Sequence, residues 1–272
     1  MKRLWGHVMA GGLLLVGTAA ISTACVNDNS TVFIFDVLAQ QLVSPGSQCL
    51  FTTDPTQPYI SAGVLDVGFR NTYFAEFLVG NQIVSQASTT APQTETSYVQ
   101  FTGAVVKITD TAGKTLANYT EMVGAAALAP AQGTTPSFEP IGVTIVDEGT
   151  VTSLLPDLAP PPGMATGGTR TLVTHTYFFG QTLGGESVQT NVFSFPVTLC
   201  EGCLVSYSAS DIDLNAPTPN CLLAASSSSS SSSALPGPCN QGQDDPIDCS
   251  QCLGVAVCLG NGAGFVVDAG TD

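Results

Sequence analysis

The sequence predicts an all-β protein, an antiparallel β-sandwich followed by a flexible Ser-rich linker and a small disulfide-rich tail, on three observations. Short apolar runs alternate with polar residues at period two and are separated by Gly, Pro, Asn and Thr clusters. Charged residues are only 10% of the chain, against ~25% in a typical soluble protein. Thr, Ser, Gln and Asn supply polarity instead, which suits exposed strand faces better than helices laced with Glu and Lys. No stretch of a dozen residues shows a convincing helical period.

The chain opens Met1-Lys2-Arg3 and reaches an apolar run from Val8 to Ile21, shorter than the ~20 residues of a membrane-spanning helix. A basic segment followed by an apolar one is the pattern of a cleaved export signal. At its end, Ser22-Thr23-Ala24-Cys25 resembles the lipobox of bacterial lipoproteins. That resemblance implies cleavage after residue 24 and diacylglycerol on the Cys25 thiol, with residues 25–30 as a lipidated tether. Ser22 and Ala24 also suit an ordinary signal-peptidase cut, but the nine cysteines favour the lipobox. An odd number leaves one thiol unpaired in an oxidising compartment, and removing Cys25 leaves an even set. Val26 after the cysteine implies, by the same resemblance, an outer-membrane destination.

Residues 31–208 read as the sandwich. Leu65, Val67 and Phe69 alternate with polar or small neighbours, and Tyr73, Ala75, Phe77 and Val79 repeat the period. Further strands are expected over Tyr98 to Thr109, Gly142 to Asp147, Arg170 to Phe179 and Val188 to Leu199. In the last, Phe193, Phe195, Val197 and Leu199 share one face and Pro196 implies an edge or a bulge. Gly180 to Gly185 reads as a hairpin loop. Ala125 to Ala129 suggests one helical turn ended by Pro130, and Pro156 with Pro160 to Pro162 marks extended loop backbone. The whole looks immunoglobulin-like in a broad sense, without the Cys…Trp…Cys hallmark, since Trp5 in the leader is the sole tryptophan. A β-barrel or jelly roll is the alternative.

Residues 209–234 contain eight consecutive serines, Ser226 to Ser233, and read as a linker. Residues 235–272 form a largely irregular tail with too few apolar residues to fold by burial alone. The eight remaining cysteines fall as two sets, Cys49, Cys200, Cys203 and Cys221 before the serines and Cys239, Cys249, Cys252 and Cys258 after them. All eight are disulfide candidates, with connectivity left open.

Catalytic and metal signals are weak. Cys200-Glu201-Gly202-Cys203 and Cys249-Ser250-Gln251-Cys252 have spacing that suits zinc or a redox centre. Export favours structural disulfides, and Cys200 ends a strand rather than starting a helix. Asp211 to Asn215 has the opening rhythm of a calcium loop, but Ala216 stands where glycine is needed. Asp244, Asp245 and Asp248 beside Asn240 make a second oxygen-rich cluster. His175, the single histidine after the leader, lies mid-strand beside Val173 and Tyr177, as a partly buried structural residue would. Gly185-Glu186-Ser187-Val188-Gln189 lacks the second glycine of a nucleophile elbow. No cofactor is expected.

Without the leader, Arg70, Lys107, Lys114 and Arg170 remain against 21 acidic residues. Nucleic acid is therefore excluded as a partner, because phosphate binding needs clustered bases. The same charge repels anionic lipid, so membrane contact is expected through lipid on Cys25. These features predict a non-enzymatic, lipid-anchored envelope protein whose sandwich is structural or adhesive, its partner an envelope protein or surface polymer. A secreted hydrolase and a metal-binding envelope protein acting through the tail are the alternatives.

Overall fold

The computed structural model describes residues 31–42, 49–85, 95–124, 126–158, 168–206, 242–245 and 247–248. Cys25, Cys221, Cys239, Cys249, Cys252, Cys258, the serine run and Asp211 to Asn215 lie outside them, and of Cys49 only the backbone is described.

In chain order the first strands are β1 (Val32–Leu38), β2 (Gln41–Leu42), β3 (Cys49–Leu50), β4 (Tyr59–Ile60), β5 (Gly63–Asp66) and β6 (Tyr73–Asn81). Next come β7 (Val99–Asp110), β8 (Thr115–Glu121), β9 (Ala126–Leu128) and β10 (Ser137–Val146), then α1 (Glu148–Leu158). The chain closes with β11 (Thr169–Thr182), β12 (Ser187–Gln189), β13 (Phe193–Cys200), β14 (Val205–Ser206) and β15 (Ile247–Asp248). A four-stranded sheet ordered β10-β6-β1-β4 packs on a seven-stranded one ordered β5-β13-β11-β7-β8, with β12 on β11 and β9 on β7. Two sheets with open edges make a sandwich, not the closed barrel held as the alternative.

Period-two alternation decides which faces meet. Tyr73, Ala75, Phe77 and Val79 of β6 are buried and oppose residues of the other sheet. Phe77 meets Phe178 with ring centroids 5.6 Å apart and Phe193 at 5.9 Å, while Tyr73 meets Phe195 at 6.0 Å. Such edge-on and tilted aromatic pairs add ~1 kcal/mol each beyond burial. One side of the sandwich is sealed by side chains of β8. Tyr119 donates its hydroxyl to the Thr144 carbonyl at 2.9 Å, and Glu121 accepts from the Thr144 N–H at 3.1 Å. These bonds occupy the open edge of β10, which would otherwise invite edge-to-edge association.

Three expectations are corrected. Ala126–Leu128 is a strand paired with Val99 to Phe101, because a neighbouring strand with unpaired backbone outweighs the weak helical preference of Ala126, Ala127 and Leu128. Pro156 lies inside α1 rather than in extended backbone. Asp147 caps that helix, accepting from the Thr150 N–H at 3.3 Å and hydroxyl at 2.5 Å, and the helix buries Val151, Leu154 and Leu158. Pro156 falls in the last turn, where it forfeits its own N–H bond to the carbonyl four residues back and only two helical residues follow it. The run from Val188 to Leu199 is two strands, interrupted at Thr190 to Val192. Pro196 lies in β13, which is internal to its sheet, but pairing with β5 begins only at Val197. The proline thus falls where no β5 carbonyl requires an N–H. Among the described residues no helix is long and apolar enough to cross a membrane.

Candidate functional site

The chemistry-bearing groups converge at one end of the sandwich, where β5, the start of β6 and the Cys200 to Cys203 turn meet residues from beyond the serine run. Gly242 to Asp244 lie along the outer edge of β5. Asp66 donates its N–H to the Gly242 carbonyl at 2.8 Å, and Asp244 donates to the Val64 carbonyl at 2.9 Å. Leu65 and Gln243 form an antiparallel bridge between them. The segment thus does for β5 what a further strand would, satisfying an edge that lacks a neighbour on that side.

Side chains of the segment reach both sheets. Gln243, 2% exposed, accepts from the Phe74 N–H at 3.0 Å and donates to the Phe74 carbonyl at 2.6 Å. Asp244 accepts from the Val64 N–H at 2.8 Å and from the Tyr73 hydroxyl at 2.7 Å. Burial raises the Asp244 carboxyl above its ordinary range despite these donors, and burial with the neighbouring Asp244 raises the Tyr73 hydroxyl. Asp244 has φ 65°, a conformation that Asp tolerates better than most residues. Gly242 has φ 81°, and any Cβ there would meet Phe69 at 2.5 Å, so a glycine is required on both counts. Farther on, Ile247–Asp248 pairs in parallel with Val205–Ser206.

Asp66 is the second organising group. It is 0% exposed, and its carboxylate accepts from the N–H groups of Gly202 at 2.9 Å, Leu204 at 3.0 Å and Gly68 at 3.1 Å. Those bonds fold the Cys-Glu-Gly-Cys segment over the carboxylate, and Cys200 and Cys203 form a disulfide with Cα atoms 5.9 Å apart. Burial raises the Asp66 carboxyl, with the N–H donors opposing. A carboxylate oxygen of Asp66 and both sulfurs lie within 4.8 Å of one another. While bonded to each other, the two sulfurs offer no thiolate to a metal.

Beside the docked segment a cavity of about 80 Å³ is lined by Gln40, Phe74, Glu76, Gln243, Asp244 and Asp245 among others. Burial pushes the Glu76 carboxyl up to about 7. The space is large enough for a few waters and smaller than the 300 to 1,000 Å³ of a typical ligand cleft.

Other candidates stand apart from this end. His175 lies on the outward face of the seven-stranded sheet, opposite Lys107 and Ser194. Its Nδ1 is 2.8 Å from the Ser194 hydroxyl and its Nε2 is 3.4 Å from the Thr109 hydroxyl. A triad histidine is oriented by a carboxylate at its second nitrogen, and a threonine occupies that place here. Ser187 opens β12 after a hairpin turn, not a strand-to-helix elbow. Sequence reasoning did not find Asp66, Tyr73, Glu76 or Gln243 as a group, because their proximity depends on a segment some 170 residues downstream.

No protein-family model matches the chain, and a search of curated proteins finds no match.

Proposed function

We propose that this chain is a lipid-anchored protein of the cell envelope whose β-sandwich serves as a structural or adhesive module without catalysis. The observation that carries the reading is the leader, a basic segment and short apolar run ending in Ser22-Thr23-Ala24-Cys25. Acyl chains on a cysteine add ~0.8 kcal/mol of membrane affinity per buried methylene, so two or more chains anchor stably. The acidic composition fits attachment by lipid rather than by a basic surface.

The outward face of the four-stranded sheet supports the adhesive half of the reading. Phe33, Phe35 and Phe138 form an edge-to-face cluster with centroids 5.5 to 6.5 Å apart, and Phe35 is 42% exposed. Aromatic side chains on a rigid surface are the residues that anchor interfaces. The test compares wild type with Cys25→Ser and Phe35→Ser. The first variant is expected to leave the membrane fraction, and the second to stay there but lose cross-linking to envelope neighbours. Retention of Cys25→Ser in detergent-extractable membrane would contradict the anchor.

A second reading, a secreted hydrolase, has the His175 to Ser194 contact in its favour. It requires turnover of a generic ester panel that Ser194→Ala abolishes. Thr109, rather than a carboxylate, at the second ring nitrogen of His175 counts against it.

A further inference from the structure

We propose that the Cys200–Cys203 cystine is a thiol–disulfide exchange site, with Cys203 the sulfur attacked by an incoming thiolate and Asp66 the positioning residue for Cys200. This goes beyond the envelope role and does not rest on it. The two sulfurs are unequal. Cys200 is 1% exposed at the end of β13, whereas Cys203 stands exposed on the surface turn. Exchange requires access to the attacked sulfur and stabilisation of the departing one; exposure of Cys203 meets the first demand, and a proton donor beside buried Cys200 would meet the second.

The surroundings of Cys200 suit a released thiol. Its Sγ lies 3.6 Å from the Leu65 carbonyl oxygen, so a new S–H has an acceptor in place without rearrangement. A carboxylate oxygen of Asp66 lies within 4.8 Å of both sulfurs, and Asp66 and Cys200 are themselves buried. Burial raises that carboxyl, which makes it a better proton carrier toward a buried thiolate than an exposed aspartate. The N–H groups of Gly202 and Leu204 hold the carboxylate in position. They also hold the turn itself, so Cys203 stays presented after the S–S bond opens.

The step balances with a thiol as the one co-reactant. A thiolate of a small or protein thiol bonds to Cys203 Sγ, the Cys200–Cys203 bond breaks, and its electron pair leaves on Cys200 Sγ. Cys200 takes up one proton. The incoming sulfur is oxidised to the mixed disulfide and Cys200 is reduced to the thiol.

The probe is reduced glutathione, added to the full oxidised chain, followed by acid quench and peptide mapping. Glutathione is expected on Cys203 with Cys200 as a free thiol, at least ~10-fold over the reverse adduct. With oxidised glutathione as the disulfide supplied to the variants that keep one cysteine of the pair, Cys200→Ser is expected to form the mixed disulfide at Cys203, releasing one glutathione thiol, and Cys203→Ser to leave Cys200 unmodified. Glu201, in the same turn, is the other carboxyl that interacts with Asp66. After correction for the glutathione thiolate fraction, the wild-type rate is expected to vary with pH in a way that Asp66→Asn removes and Glu201→Gln does not, a readout a merely structural aspartate would not move. Equal labelling of both cysteines overturns the proposal. So does an unmodified cystine after hours in millimolar glutathione with the circular dichroism of the fold intact, and either result leaves a purely structural cross-link.

Discussion

Gln243 closes its side-chain amide on the peptide of Phe74, accepting at 3.0 Å and donating at 2.6 Å across a separation of 169 residues. Because the Gln243 backbone bridges Leu65 of β5, one residue ties the seven-stranded sheet to the four-stranded one. Residues from beyond the serine run are therefore built into the end of the sandwich.

Gln243→Ala removes both partners of a buried peptide and is expected to cost about 2–4 kcal/mol, since each stranded polar group carries a desolvation penalty of ~1–3 kcal/mol. Urea unfolding of the full chain measures it. A loss below ~0.5 kcal/mol would show that the bonds add nothing to stability. Deletion of residues 226–272 is expected to be at least as destabilising.

Asp66→Ala leaves the N–H groups of Gly202, Leu204 and Gly68 without their acceptor. A cost of about 3 kcal/mol is expected. Amide hydrogen exchange should localise it, with protection lost at Gly202 and Leu204 and retained at Phe77 in the centre of β6.

Glu76 gives the stability a specific pH dependence. Its folded-state value, about 7, lies above the ordinary 4.5, so the fold prefers the neutral acid. That contribution is fully present below about 4.5 and is lost as pH rises through about 7. Partial solvent contact reduces its size to the order of 1 kcal/mol. Glu76→Gln is expected to flatten the decline between pH 4.5 and 7, and an unchanged slope in thermal melts would assign the effect to another group.

Asn81 is 0% exposed yet satisfied, donating to the carbonyls of Ser97 at 3.2 Å and Ala129 at 2.9 Å and accepting from the Ile83 N–H at 2.8 Å. Asn81→Leu strands three backbone groups and is expected to cost about 3 kcal/mol or more. Ser194→Ala, on the outward sheet face, is expected to change stability by less than ~0.5 kcal/mol. Denaturant midpoints for the two variants check the contrast.

Local periodicity made much of the sandwich legible. Tyr73 to Val79, Tyr98 to Thr109 and Arg170 to Phe179 were each legible as strands, and strands lie there over Tyr73–Asn81, Val99–Asp110 and Thr169–Thr182. Helix α1 also had a signal, with Val151, Leu154, Leu155 and Leu158 at helical spacing after the capping Asp147. Pro156 masked it, because a proline suggests a break even where a last turn tolerates one. Ala126–Leu128 misled for the opposite reason, since its preference was local and its strand partner was not. Nothing near Gly242 to Asp245 encodes a contact with Val64, Tyr73 and Phe74. Two C-x-x-C spacings were legible, but not which cysteine would be buried or that Asp66 would lie beside the pair.

The most direct test of the envelope reading is the intact mass of the natural protein, purified from fractionated cells. A chain that begins at Cys25, carries the mass of diacylglycerol and acyl groups and sediments with membranes is the expected result. A soluble cytosolic chain that still begins at Met1, with Cys200 and Cys203 reduced, would contradict it.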